Sequence, residues 1–335
     1  RHSARKFLST KSSNDDDMDK KDVSLHIDSV ESTIRESHYV TEHEHAHEEE
    51  HEEEHGGVAA TSHPSSSSGD PPPPLPPPTR TVAQLDAFQW LQQFPDRALP
   101  GEVFTSVPDI SDLDRIFPAP HKNTLNFALY KEWFRQAIRL VLAKTPRYAI
   151  FLQTDIRALV GKDEKVLEFI DKSAIIQETA AEEACGFTLI WHKIVTNSER
   201  FSEKRVSHAP NWSHLLCFQR NGVPMYETRK WKTPDVFTRG EMTWERAVGL
   251  NVAMTGVSFL KHVALADTVV DPFCGLGTIL AVANAVNLNS VGNDLSRKRV
   301  KKATTLDLRY ALSSLTFKQR EHHGVTERLP YTKET

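Results

Sequence analysis

The chain has 335 residues, 39% of them hydrophobic, with 41 Lys+Arg against 45 Asp+Glu and a net charge of −4. Its three cysteines, Cys185, Cys217 and Cys274, lie far apart with no CxxC pair, which argues for a reducing compartment and against a disulfide framework or a zinc site. No run approaches the roughly 18 apolar residues that cross a bilayer, so a soluble, intracellular chain without membrane partners is expected.

The near-neutral total averages two unlike parts. Residues 1–81 hold 8 Lys+Arg and 17 Asp+Glu, a net of −9, with Phe7 and Tyr39 as the aromatics, while residues 82–335 carry a net of +5 and nearly all the other rings. Residues 1–80 cannot bury enough apolar surface to offset chain entropy, and a disordered tail is expected there. Residues 1–13, RHSARKFLSTKSS, are basic, serine-rich and free of acids. That composition fits an organelle presequence, for a mitochondrion or plastid, and equally a solvated start of a cytoplasmic or nuclear protein. The run from Glu42 to His55, EHEHAHEEEHEEEH, has metal-binding side chains. A flexible like-charged segment does not fix ligand geometry, so it reads as solvated and no metal site is assigned. The prolines from Pro71 to Pro78, interrupted only by Leu75, form a stiff spacer before the domain.

Thr81 is placed to cap a helix through Phe94, with Val82, Leu85, Phe88 and Leu91 at helical spacing and Pro95 to stop it. EVFTS at 102–106 reads as a strand running into Val107-Pro108-Asp109, and 109–126 as loop. Leu129, Trp133, Phe134, Ala137, Ile138 and Val141 predict an amphipathic helix from Phe127 to Lys144, followed by a buried strand to Gln153. Further helices are predicted over 172–185, 243–263, 278–287 and 296–312, and strands over 187–195, 213–219, 268–272 and 290–294. Strands alternating with helices imply a mainly parallel, doubly wound α/β sheet over 81–315, with 316–335 as a flexible tail.

The stretch VDPFCGLGTIL, from Val270 to Leu280, is a strand, a glycine turn and a helix start. Paired glycines let backbone N–H groups close on a ligand at a helix N-terminus. Leu280 stands where the dinucleotide fingerprint GxGxxG needs its third glycine, which weakens a nicotinamide or flavin reading. Asp294, 17 residues after Gly277, is placed to accept hydrogen bonds from ribose hydroxyls. A first strand at residue 270 leaves too little chain after it for a sheet.

DPFCGLGT resembles the S-adenosylmethionine motif DPFxGxGT of the amino-methyltransferases that modify exocyclic nitrogens of cytosine or adenine in nucleic acids. One class of that family is circularly permuted, with the catalytic half first. The resemblance runs from about Trp90 to Leu312 and implies a permuted, Rossmann-like class I methyltransferase sheet with S-adenosyl-L-methionine as cofactor. Ile190-Trp191-His192-Lys193 is similar to one later strand motif and His214 to Phe218 in part to another. The resemblance assigns Gly275 and Gly277 to the backbone cradle, Asp271 and Thr278 to the methionine end of the cofactor, Phe273 to the adenosyl group and Asp294 to the ribose.

Thr105-Ser106-Val107-Pro108-Asp109 stands where the family reads T-S-P-P-Y. Ser106 and Pro108 keep their places, Val107 replaces a proline, and Asp109 replaces the aromatic that stacks on the flipped base. A carboxylate cannot stack, but it can accept a proton or a hydrogen bond from the acceptor; Phe104, within the strand, is expected in the core and Phe117 lies nearby. Residues 193–246 are a candidate substrate-reading insert, with ten Lys+Arg against six Asp+Glu among Trp212, Tyr226, Trp231, Phe237 and Trp244. Arg297, Lys298, Arg299, Lys301 and Lys302 form a basic stripe. The expected partner is nucleic acid, RNA ahead of DNA because no duplex-reading module is visible. A non-catalytic RNA- or protein-binding factor, and a methyltransferase for a small molecule or protein, stand as alternatives.

Overall fold

A computed structural model describes residues 76–112, 127–160, 166–197, 210–224, 231–244 and 247–326, all within one compact unit. The expected tail up to residue 75, with its histidine run and most of its proline run, lies outside the described residues, as do Phe117 and Tyr226.

β1 (Arg80–Ala83) is followed by α1 (Ala87–Gln92), where one helix through Phe94 was expected. Arg80 to Ala83 instead run parallel to Ser290–Asn293 at the sheet edge. Thr81 and Val82 are β-branched, and pairing with an open ladder outweighs their helical spacing. The helix begins after Asp86, whose carboxylate accepts the N–H groups of Phe88 and Gln89 at 2.9 and 3.1 Å.

β2 (Glu102–Thr105) leads to a short 3-10 turn at Ile110–Asp112, then α2 (Phe127–Lys144) and β3 (Tyr148–Gln153), as the apolar spacing predicts. The hairpin β4 (Ile156–Val160) and β5 (Val166–Ile170) was not predicted. α3 (Lys172–Ala181), β6 (Phe187–Thr196) and β7 (Trp212–Arg220) follow, then a short β8 (Val236–Thr238) and α4 (Leu250–His262). β9 (Thr268–Asp271), α5 (Thr278–Ala285) and β10 (Asn289–Asn293) carry the glycine turn between them. The basic helix expected over 296–312 is two helices, α6 (Arg297–Thr305) and α7 (Arg309–Ser314). Residues 316–326, expected as flexible tail, contain α8 (Phe317–Glu321), which has a complete capping box on Thr316 and buries Arg320, and His323 beyond its end is buried as well.

Eight strands form one sheet in the order β1-β10-β9-β2-β3-β7-β6-β8. The first five in that order are mutually parallel, and β7 is antiparallel to both β3 and β6. β3 is buried at all six positions, as a strand covered on both faces must be. Its Tyr148, Ile150 and Leu152 join a core with Phe104 of β2 and Val257, Phe259 and Leu260 of α4. Its Ala149 and Phe151 join the opposite core with Phe134 and Ile138 of α2 and Ile176 of α3. The result is the expected doubly wound α/β sheet. Among the described residues no helix is long and apolar enough to cross a membrane. The strand with the glycine turn is ninth in chain order and third across the sheet, so most of the sheet precedes it in sequence.

Candidate functional site

The carboxyl ends of β9, β2 and β3 and the amino end of β7 share one edge of the sheet. β9 ends at buried Asp271, and the chain then folds back: Cys274 N–H donates to the Asn293 carbonyl at 2.9 Å and Gly277 N–H to the Cys274 carbonyl at 2.8 Å. Gly275 (φ 55°) and Gly277 (φ 83°) are both in the left-handed region that glycine alone adopts without strain. A Cβ on Gly277 would lie 2.8 Å from the Ala303 Cα, so α6 packs directly on the turn. A Cβ on Gly275 would meet nothing within 4 Å; this glycine faces open space. The N-cap of α5 is Gly277, and among the described residues no side chain caps the helix, so its first N–H groups can meet an anionic ligand. The buried Thr278 hydroxyl is bonded to that of Thr243 at 3.0 Å.

Two acids flank this turn. Asp271 accepts the Thr105 hydroxyl at 2.6 Å and the Phe273 N–H at 3.2 Å. Burial nevertheless pushes its pKa up to about 7, with the charge of Asp294 adding to the rise. Asp294, at the end of β10, accepts the Ser296 N–H at 2.8 Å and lies 3.7 Å from Arg299; burial raises its pKa too. Asn293 donates to the Leu85 and Pro272 carbonyls at 3.0 and 3.3 Å, while its own buried amide oxygen has no partner among the described residues. Phe273 is half-buried, its ring edge-on to Trp133 at 6.4 Å.

The Thr105–Asp271 bond joins the glycine turn to the next strand, where the TSVPD loop begins. Phe104 is fully buried, Ser106 is half-buried and Val107 sits in the core. The Pro108 carbonyl accepts the Tyr130 hydroxyl at 3.0 Å; burial and the nearby acids Asp109 and Asp112 raise the Tyr130 pKa, keeping it a donor. The Asp109 carboxylate forms an ion pair with Lys172, the first residue of α3, whose side chain is 0% exposed. The rings of Tyr130 and Phe134 lie 5.7 and 5.6 Å from that ammonium, and Gln153 Oε1 accepts from it at 3.4 Å. Lys172 escaped the sequence reading because a lysine opening a helix ordinarily points to water. The Gln153 Nε2 is buried beside this pair without a partner among the described residues.

Further along the edge, Asp155 binds His214 Nε2 at 2.9 Å, and His214 Nδ1 binds His192 Nε2 at 2.9 Å. Burial works against ionisation of Asp155, but His214 and the N–H groups of Lys172 and Ser173 together bring its pKa below the usual value. Burial and the charge of His214 lower the pKa of His192, which lies at the exposed end of the chain of contacts. Arg239 donates to the Ser213 hydroxyl at 2.6 Å, and that hydroxyl meets Thr154 at 2.6 Å. Burial lowers the Arg239 pKa, and the charge of Asp109 opposes that shift.

Of the aromatics in the candidate insert, Trp231 packs on Trp191 and Phe259 at 5.4 and 5.0 Å, and Phe237 is buried. Trp212 lies 5.3 Å from the Arg157 guanidinium, while Trp244 is 59% exposed. Among the described residues no group of three or more metal-ligating side chains is gathered.

No family model matches the chain, and no curated protein does. Among solved structures it is similar to a candidate DNA modification methylase of Thermus thermophilus, at 17% identity over 67% of this chain and 92% of that one, with a TM-score of 0.48. It is also similar to the cytosine-N4-specific PvuII DNA methyltransferase, at 15% identity over 77% of this chain and 99% of that one, TM-score 0.48. A third is the S-adenosylmethionine complex of M1.HpyAVI, at 14% identity over 67% and 97%, TM-score 0.43.

Proposed function

We propose that the chain is an S-adenosylmethionine-dependent methyltransferase acting on a nucleic-acid base, with the two halves of its sheet in permuted order. The observation that carries this reading is the Thr105–Asp271 hydrogen bond, because it fixes a DPFCGLGT turn and a TSVPD loop side by side at one sheet edge. The residues present fit that cofactor. Asp271 would hold its ammonium and the uncapped α5 N-terminus its carboxylate, with Asp294 taking the ribose hydroxyls. Gly275 leaves open the space that a side chain would fill.

When bound, the cofactor supplies an electrophilic sulfonium methyl. The chain's own contribution is to orient the acceptor: Ser106 offers an oxygen to the attacking group, and Asp109, positioned by Lys172, accepts a hydrogen bond or a proton from it. Tyr130 braces the loop through the Pro108 carbonyl. An aspartate in the place of an aromatic favours polar reading of the acceptor over stacking on it. The acceptor base belongs to RNA or DNA, and the labelling experiment separates the two.

Calorimetric titration with S-adenosylmethionine tests the first half; no binding, or binding unchanged in Asp294→Ala, sinks the reading. Incubation with methyl-labelled cofactor and, separately, total RNA and denatured DNA tests the second. Label is expected in one nucleic-acid fraction and lost in Asp109→Ala, whereas label in protein or small molecules alone overturns the assignment.

A further inference from the structure

We infer that Trp244 and the outward face of α6 form a docking surface for single-stranded nucleic acid that leads a strand to the glycine turn. This rests on the nucleic-acid reading and places its partner. Arg297, Lys298, Lys301 and Lys302 are all exposed, and at 3.6 residues per turn they spread over an arc of about 140° on the side of α6 opposite buried Ala303. None has an acidic partner among the described residues; the acid at this end, Asp294, is engaged by Arg299 on another side of the helix. α6 contains no acidic residue, and its buried residue, Ala303, faces Gly277. Four unneutralised cations on one short face form a counterion-rich patch that phosphates discharge favourably.

The second component is the ring. Trp244 is 59% exposed, and the Lys302 ammonium lies 5.8 Å from its centroid, so ring and basic face are contiguous. The loop holding Trp244 is fixed, because Thr243 is bonded to Thr278 in the first turn of α5 and the Trp244 carbonyl accepts the Ala247 N–H at 2.9 Å. α6 is fixed to the same turn through Gly277. An exposed ring beside a row of cations offers a base a stacking face while the backbone runs over the charges, the combination that suits unpaired strands. A bilayer surface fits less well: α6 presents no exposed apolar side chain, and the exposed Trp244 and Leu295 beside it do not make the continuous apolar face with which an interfacial helix enters the acyl boundary. A duplex keeps its base faces stacked internally and would leave the ring unused.

The test is fluorescence anisotropy on the full chain, with labelled oligouridine and oligothymidine of about 20 nucleotides, long enough for one site, against a duplex of the same length. Both single strands are expected to bind. Lys298→Glu with Lys301→Glu should weaken binding about tenfold or more and reduce the slope of log K against log salt by about 1.4, two phosphate contacts' worth. Trp244→Ala should weaken it about tenfold with the slope unchanged, since stacking releases no counterions. Lys298→Ala with Lys301→Ala repeats the charge test should the reversal impair folding. The proposal is overturned by wild-type protein that binds no strand, by substitutions that leave affinity within about twofold, by tighter binding of duplex, or by phosphatidylserine vesicles whose binding drops equally in both variants. Cofactor titration is run in parallel. A chain that binds the strands through these residues but not S-adenosylmethionine loses the methyltransferase reading and keeps this surface; the opposite pattern does the reverse.

Discussion

Asp271 is a carboxyl whose surroundings oppose its charge. Its pKa rises from 3.8 to about 7, so the folded chain holds a proton that the unfolded chain releases at lower pH. The stability this confers is fully present below about pH 4 and lost as pH climbs toward 7, about 4 kcal/mol in all. Chemical denaturation between pH 4 and 8 should therefore show a downward slope that Asp271→Asn flattens. A bound cation at this carboxylate acts in the opposite sense, so S-adenosylmethionine should bind more tightly from pH 6 to 8 and release a proton at the lower end, measurable by calorimetry in buffers of different ionisation heat. Gly277 permits a second test. Its φ of 83° and the 2.8 Å approach to Ala303 leave no room for a methyl group, and Gly277→Ala should destabilise the fold by about 2–4 kcal/mol while pushing α6 off the turn. Asp271, Gly275, Gly277 and Asp294 could be singled out in sequence because the strand, glycine turn and following strand that hold them are set by local spacing. Thr105 and Lys172 were not, since their meaning depends on partners 166 and 63 residues away.

At the scale of elements, α2 was legible to its ends because its eight buried side chains repeat at helical spacing. The errors lie where tertiary contacts outvote local pattern. β1 was read as helix because the open ladder of β10 lies more than two hundred residues downstream. The expected helix over 296–312 breaks at Leu306, where neither glycine nor proline stands. The reason is Arg80 of β1, whose guanidinium takes the Ala303 and Leu306 carbonyls at 2.9 and 2.6 Å and the Asn284 side chain at 2.6 Å. A remote arginine thus does the work of a C-cap. Arg80→Ala should cost about 1–3 kcal/mol, because it leaves three partly buried acceptors unmatched, and should raise hydrogen exchange at the end of α6 more than in α5. Arg80→Lys should restore little, since one ammonium cannot span three acceptors in the fork of a guanidinium.

For the molecule as a whole, the sheet order answers why a strand leading into a glycine turn begins at residue 268. β9 lies between β10 and β2, so the centre of the sheet is closed by its later part. The doubly wound class could be read from the alternation of strands and helices, whereas the late place of β9 followed from the resemblance of its turn to that of a permuted family. The β4–β5 hairpin could not, since two five-residue apolar runs carry no sign of which will pair.

The sheet order also sets a timetable for synthesis. β2 leaves the ribosome with one flank matched by β3 and the other bare until β9 arrives roughly 160 residues later, on the order of ten seconds at ordinary elongation rates. During that interval Val103 and Phe104, both fully buried at the end, face an unfilled slot. Ribosome-bound chains halted before Thr268 should be captured by holdase chaperones and cut near β2, and chains halted beyond Asn293 should escape both. Transplanting residues 247–326 ahead of Arg80 should abolish the delay, because the centre of the sheet would then be translated first.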